Sequence, residues 1–129
     1  MITLKLATIA VLAWWMITPA RPLTPESFVV DSGSYRVFGF EVSRFGRVFG
    51  QFRNQDGKGS DIRVLIVDQD GFEKFRSGRA FQSYYDSGQV GGAQVDVQLR
   101  YGRYVLIFDN RSSPYSNRTI SSNLQLDER

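Results

Sequence analysis

The chain reads as an all-β protein, a two-sheet antiparallel β-sandwich of jelly-roll type with about eight strands, preceded by an N-terminal hydrophobic helix. Three observations predict this. Apolar residues recur at period two in short runs bounded by Gly, Pro, Asn, Asp and Ser clusters, which is the signature of half-buried strands. No stretch beyond the first twenty residues carries a convincing helical period, and no repeat unit points to a solenoid or propeller. Ten Phe and six Tyr among 129 residues supply large buried areas, so a domain of this size can close a core without metal or disulfide staples.

Residues 1–20 are read as a targeting segment. Lys5 precedes an uncharged run over residues 6–17, and Thr18-Pro19-Ala20 closes it, the layout of a secretory signal peptide cleaved after Ala20. Trp14-Trp15 also suits a membrane interface, so a retained N-terminal anchor is the alternative. Both readings place the rest of the chain outside the cytoplasm, secreted, periplasmic or membrane-anchored. Residues 21–27, with Pro22 and Pro25, form an extended linker, and residues 28–127 form the β-sandwich domain.

Within that domain, Phe38, Phe40 and Val42 share one strand face, and Val48, Gly50 and Phe52 continue the alternation after an expected turn at residues 44–46. Residues 54–61 are turn chemistry. Asn54 and Asp56 match the first ligands of a calcium loop, but Lys58 and Leu65 stand where further oxygen ligands belong, so the stretch is read as a plain loop with no metal. Ile62, Val64 and Ile66 line the next strand, which ends in the expected solvated turn Asp68-Gln69-Asp70-Gly71. Phe72 to Phe75 then reads as a short cap or irregular crossover, too brief for an independent helix.

Phe81, Tyr84 and Tyr85 precede a break at Ser87-Gly88. Val95, Val97 and Leu99 alternate with Gln94, Asp96, Gln98 and Arg100 in a strand with one wet face, and residues 100–103 read as a tight reversal. The strand that follows is the most strongly patterned. Tyr104, Leu106 and Phe108 fall on one face, yet Val105 and Ile107 make the other face apolar too, so it should be central and covered on both sides. Asp109, Asn110 and Ser113 form a structural turn after it, expected to tie down the next loop by side-chain hydrogen bonds. Residues 118–126 close the fold with Ile120, Ser122, Leu124 and Leu126 inward. Asn110-Arg111-Ser112 and Asn117-Arg118-Thr119 fit the glycosylation acceptor pattern.

Composition narrows the chemistry. The chain has no Cys and no His, which removes Ser-His-Asp and Cys-His nucleophiles, thiolate or imidazole metal sites and a proton shuttle near neutral pH. Catalysis by two carboxylates is what remains, with Asp68, Asp70, Asp86 and Asp109 as the candidates. Net charge is +3, with basic and acidic residues interspersed, unlike the clustered basic face of a nucleic-acid binder.

The run Gly102-x-Tyr104-x-Leu106-x-Phe108-Asp109-Asn110-x-x-Ser113 resembles the end of the GOLD (Golgi dynamics) domain, the luminal β-sandwich of vesicle cargo receptors. Tyr35-x-x-Phe38-x-Phe40-x-Val42, Val48-x-Gly50-x-Phe52, Asp61-Ile62-x-Val64 and Tyr85-x-Ser87-Gly88 look similar to that domain's strand order. The resemblance implies a sandwich fold and protein or lipid binding. This sequence lacks the cysteine pair of those receptors and their coiled coil, C-terminal membrane span and tail, so a transport role is not carried over. A second resemblance is to bacterial pre-peptidase C-terminal domains, secreted sandwiches that also carry a Gly-x-Tyr strand.

The expected function is therefore an exported, non-catalytic binding module, needing no cofactor, that engages a protein, a lipid head group or a glycan. Arg44, Arg47 and Arg103 are candidates for acidic groups, and Tyr84 and Tyr85 for stacking. A structural or adhesive surface subunit and a carboxylate hydrolase are the alternatives.

Overall fold

A computed structural model describes residues 19–57 and 61–129. The expected leader, up to residue 18, and the tip of the 54–61 loop lie outside them. The described residues form β1 (Arg21–Pro22), β2 (Ser27–Val30), β3 (Tyr35–Asn54), β4 (Ile62–Asp68), α1 (Gln69–Arg76), β5 (Tyr85–Val90), β6 (Gly92–Asp109), β7 (Arg118–Ser122) and β8 (Gln125–Glu128). Among them no helix is long and apolar enough to cross a membrane.

Two strands organise everything else. β3 runs for 20 residues and β6 for 18, and they pair antiparallel from Tyr35 opposite Asp109 to Arg53 opposite Gly92. The expected turn at 44–46 and reversal at 100–103 are both corrected: neither strand ends there. The two polar, glycine-containing clusters meet across one ladder, where the register shifts between Val42 and Phe45, so they bend a continuous pair rather than reverse two separate hairpins. The Glu128 carboxylate accepts the Ser43 N–H at 2.7 Å and the Arg21 guanidinium at 2.8 Å, pinning the bulge to both chain-terminal strands. Arg21-Pro22, expected as linker, thereby adds to β8.

Beyond the bulge the halves of each long strand take different neighbours. Residues 104–109 of β6 pair with β4, which pairs with β5, whereas the 46–54 part of β3 pairs with β7 and β8. Hydrogen bonding therefore joins all eight strands into one sheet, in the order β1-β8-β3-β6-β4-β5 with β2 and β7 to the side, where two separate sheets were expected. The two halves still share one core. Phe108 meets Phe28 and Phe52 edge-on at centroid distances of 4.9 and 6.1 Å, and Val48, Ile62, Leu106, Ile120 and Leu126 fill the rest.

The strand expected to be covered on both sides is so covered. Tyr104, Leu106 and Phe108 face the main core, while Val105 and Ile107 join Leu65, Val67 and Phe75 in a second cluster beneath α1. Residues 69–76, expected as a turn and crossover, are a two-turn helix. Asp68 caps it, its carboxylate accepting the Gly71 N–H at 2.7 Å; Lys74 pairs with Asp70 at 2.9 Å; and Arg79 and Gly78 donate to the Lys74 and Phe75 carbonyls in a Schellman closure. Such a short helix is stable because Phe75, 1% exposed, docks it on the sheet. The closing segment splits at Asn123-Leu124 into β7 and β8, with Ile120, Ser122, Leu124 and Leu126 all buried as expected.

Candidate functional site

Beyond the bulge, strict alternation buries Gly46, Val48, Phe52 and Asn54 of β3 and turns Phe45, Arg47, Gln51 and Arg53 to solvent, with Phe49 half-buried among the latter. Register places Arg100 beside Phe45, Gln98 and Asp127 beside Arg47, Asp96 and Gln125 beside Phe49, and Gln94 beside Gln51. The result is an open three-strand face of aromatic rings, planar amides, carboxylates and guanidinium groups. A groove of about 830 Å³ runs over Phe45, Arg47, Asp96, Gln98 and Arg129. A second, of about 1030 Å³, continues past Gln51, Arg53, Gln94 and Asn123.

Charge on this face is partly locked. Arg47 grips Asp96 through two hydrogen bonds of 2.8 and 2.9 Å while its guanidinium lies 5.1 Å from the Phe49 ring centre. The hydrogen bond from Arg47 holds the Asp96 carboxyl below the usual carboxylate range, and Asp96 raises Arg47 in turn. Arg53 and Arg100 have no carboxylate partner among the described residues. Phe45 is 64% exposed, its ring held on the solvent side of the strand.

The residues singled out in the sequence fall in different places. Arg47 is on this face. Arg44 is exposed in the bulge, and Arg103 is spent on Glu41 at 2.8 Å in the other half of the sheet. Tyr84 is 51% exposed and meets Tyr104 edge-on at 5.2 Å, its hydroxyl 3.4 Å from Asp68; Tyr85 packs against the main core, where burial raises its phenol pKa. No contact joins the tyrosines to Arg47 among the described residues. Phe45, Phe49, Gln98, Arg100 and Asp127 were not singled out, although the odd-numbered outward positions 45, 47, 49 and 51 follow at once when β3 is taken as one strand.

The turn after β6 is a fastening. Asn110 is fully buried, and its amide donates to the carbonyls of Val30, Asp31 and Ser116 at 3.3, 3.2 and 2.9 Å. Asp109 holds the Arg111 backbone and guanidinium, which lies 4.0 Å over Phe75, and Ser113 accepts from Arg118 at 3.0 Å. The acceptor pattern at Asn110 is thus closed to modification in the folded chain. The candidate carboxylates are similarly engaged: Asp68 caps α1, Asp70 pairs with Lys74, Asp86 with Arg63 at 2.7 Å and Asp109 with Arg111. Among the described residues, no group of three metal-ligating side chains occurs.

No protein-family model matches the chain, and no curated protein matches it. Among solved structures, the chain is similar to the pre-peptidase C-terminal domain of a collagenase from Bacillus anthracis, with a TM-score of 0.50 and 10% identity over 76% of this chain and 86% of that one. It also aligns with a CBM4 structure at a TM-score of 0.39 and 8% identity, over 91% of this chain and 83% of that one. The first likeness shows a shared fold; the second adds no argument to it.

Proposed function

We propose that the chain is an exported, non-catalytic glycan-binding module whose outer β3/β6/β8 face is the binding platform, on a sandwich of the kind shared by Golgi-dynamics and pre-peptidase domains. The observation that carries this reading is the composition of that face. Phe45 offers a flat apolar surface for the C–H face of a sugar ring, and the half-buried Phe49 ring supports the Arg47 guanidinium beside it. Arg47, Gln51, Gln94, Asp96, Gln98 and Asp127 supply fixed donors and acceptors at the spacing of a β-ladder, suited to hydroxyl groups. Arg53 and Arg100 favour sugars carrying carboxylates. The face is open, as binding along a polymer requires.

Affinity electrophoresis through gels containing polygalacturonate, xylan or a neutral β-glucan tests the proposal. Retardation is expected, strongest with polygalacturonate, and lost in Phe45→Ala and Phe49→Ala but kept in Tyr84→Ala. No retardation in any gel, or retardation that survives both phenylalanine substitutions, would sink the reading.

A further inference from the structure

We infer that the β6 edge between residues 93 and 100 is a self-pairing surface, which joins two copies of this chain antiparallel into one continuous sheet. On one side this segment pairs with β3; on the other, no described strand pairs with it. The backbone direction of the free side is fixed by the register. The Asn54 N–H donates to the Gly91 carbonyl at 2.8 Å, and pairing continues unbroken to Phe45 opposite Arg100. Alternation then turns the N–H and C=O groups of Gln94, Asp96, Gln98 and Arg100 away from β3. Arg100 confirms the direction: its carbonyl accepts the Tyr104 hydroxyl at 2.8 Å and keeps a second lone pair.

Sheet edges left open are templates for pairing, and proteins usually blunt them with proline, lysine, bulges or brevity. Most other edges here are short or interrupted. β1 has two residues, one of them Pro22; β2 has four; β5 pairs irregularly around Gly88; and on the 35–42 part of β3 the Glu41 carbonyl accepts the Arg21 guanidinium at 3.1 Å. Residues 93–100 have no proline, no lysine and no register break.

The occupant that fits is a second copy, because charge selects one two-fold register. If Gln98 faces Gln98 of the other copy, each Asp96, held by Arg47 of its own copy, also faces an Arg100, and about six backbone hydrogen bonds form across the axis. Centring the axis two residues away in either direction opposes Asp96 to Asp96 or Arg100 to Arg100. The favoured pairing also lays the two outer faces side by side, which would make binding along a polymer bivalent.

The absence of cysteine makes the test clean, since a single introduced thiol reports only contacts between copies. Gln98→Cys on the full chain should oxidise to a covalent dimer far faster than Tyr115→Cys, placed at a residue that is 94% exposed in the loop before β7. Sedimentation equilibrium should show dimers for the unmodified chain and monomers for Gln98→Pro, whose missing N–H serves no bond to β3. Asp96→Arg should weaken association at least tenfold, and the Asp96→Arg, Arg100→Asp double exchange should restore it, which keeps the test decisive if the proline variant misfolds. Equal oxidation of the two cysteine variants, or a folded Gln98→Pro that remains dimeric, would overturn the inference.

Discussion

Replacing Asn110 with Ala removes a side chain that the structure uses as a three-way fastener between the turn before β3 and the loop after β6. Its amide carries two protons shared among the carbonyls of Val30, Asp31 and Ser116, so it counts as roughly two buried hydrogen bonds, each contributing about 1 kcal/mol net. Stripped carbonyls add about 1 kcal/mol of unmet desolvation. Against this, the Asn110 Oδ1 atom is buried with no hydrogen-bond partner, and its loss returns about 1 kcal/mol. The balance is a destabilisation of about 2 kcal/mol, or a fall in Tm of about 8 °C for a domain of this size. Asn110→Asp keeps the shape but replaces the donors with a carboxylate facing carbonyl oxygens, so it should cost at least about 1 kcal/mol more than Ala. Urea unfolding followed by tryptophan-independent circular dichroism measures both. An alanine variant within about 0.5 kcal/mol of the parent, or an aspartate variant no worse than alanine, would refute the fastening role. So would an alanine variant that kept its midpoint and lost glycan retention.

Phe75→Ala should cost about 3–4 kcal/mol, because the ring closes the second cluster over Leu65, Val67, Val105 and Ile107; hydrogen exchange should then show α1 opening before the sheet. Gly50→Ala should destabilise by about 2 kcal/mol or more, since φ is +131° there and a Cβ would lie 2.6 Å from the Asn123 carbonyl oxygen, a clash visible as a lowered melting midpoint. Of the three carboxylates held below their usual range, Asp96 is solvent-exposed, so acid sensitivity should trace to the other two, Glu128 held down chiefly by the Ser43 N–H and Asp86 chiefly by hydrogen bonding from Arg63. Because both folded-state values are depressed, their contribution is complete above about pH 5 and disappears as pH falls through the folded values. Glu128→Gln should therefore lower stability at neutral pH and flatten its decline in acid, and parallel pH titrations of urea midpoints would expose a variant that does neither.

Much of the core was legible because burial and alternation are the same signal. Phe52, Ile62, Val64, Ile66, Leu106, Phe108, Ile120 and Leu126 were all placed inward by period two alone, and all are buried. The double-sided pattern of residues 104–108 also required a second cover, but not its identity. The covering helix was hidden because its sequence, Gln69 to Arg76, contains a glycine and only two turns; its stability comes from the docking of Phe75 and from caps at both ends, neither of which local propensity reports. The outward face was harder still, since an exposed glutamine or arginine has no pattern of its own until the neighbouring strand is known.

The break at residues 100–103 shows why that neighbour could not be inferred. Along β6 the inward positions are odd at Val95 and Leu99 and even at Tyr104, Leu106 and Phe108, and such a change of parity beside a glycine is what the end of a strand looks like. Here Gly102, with φ at +151°, absorbs the change without ending the strand. Along β3 the parity never changes, since Val42, Val48 and Phe52 are all even and all buried, so that strand alone argued for continuity through Arg44. The two readings conflict only while the strands are considered singly. Paired, an unbroken β3 obliges β6 to run on beside it, and that single step turns two expected hairpins into one bent ladder, exposes the row from Phe45 to Arg53, and leaves the edge of β6 open.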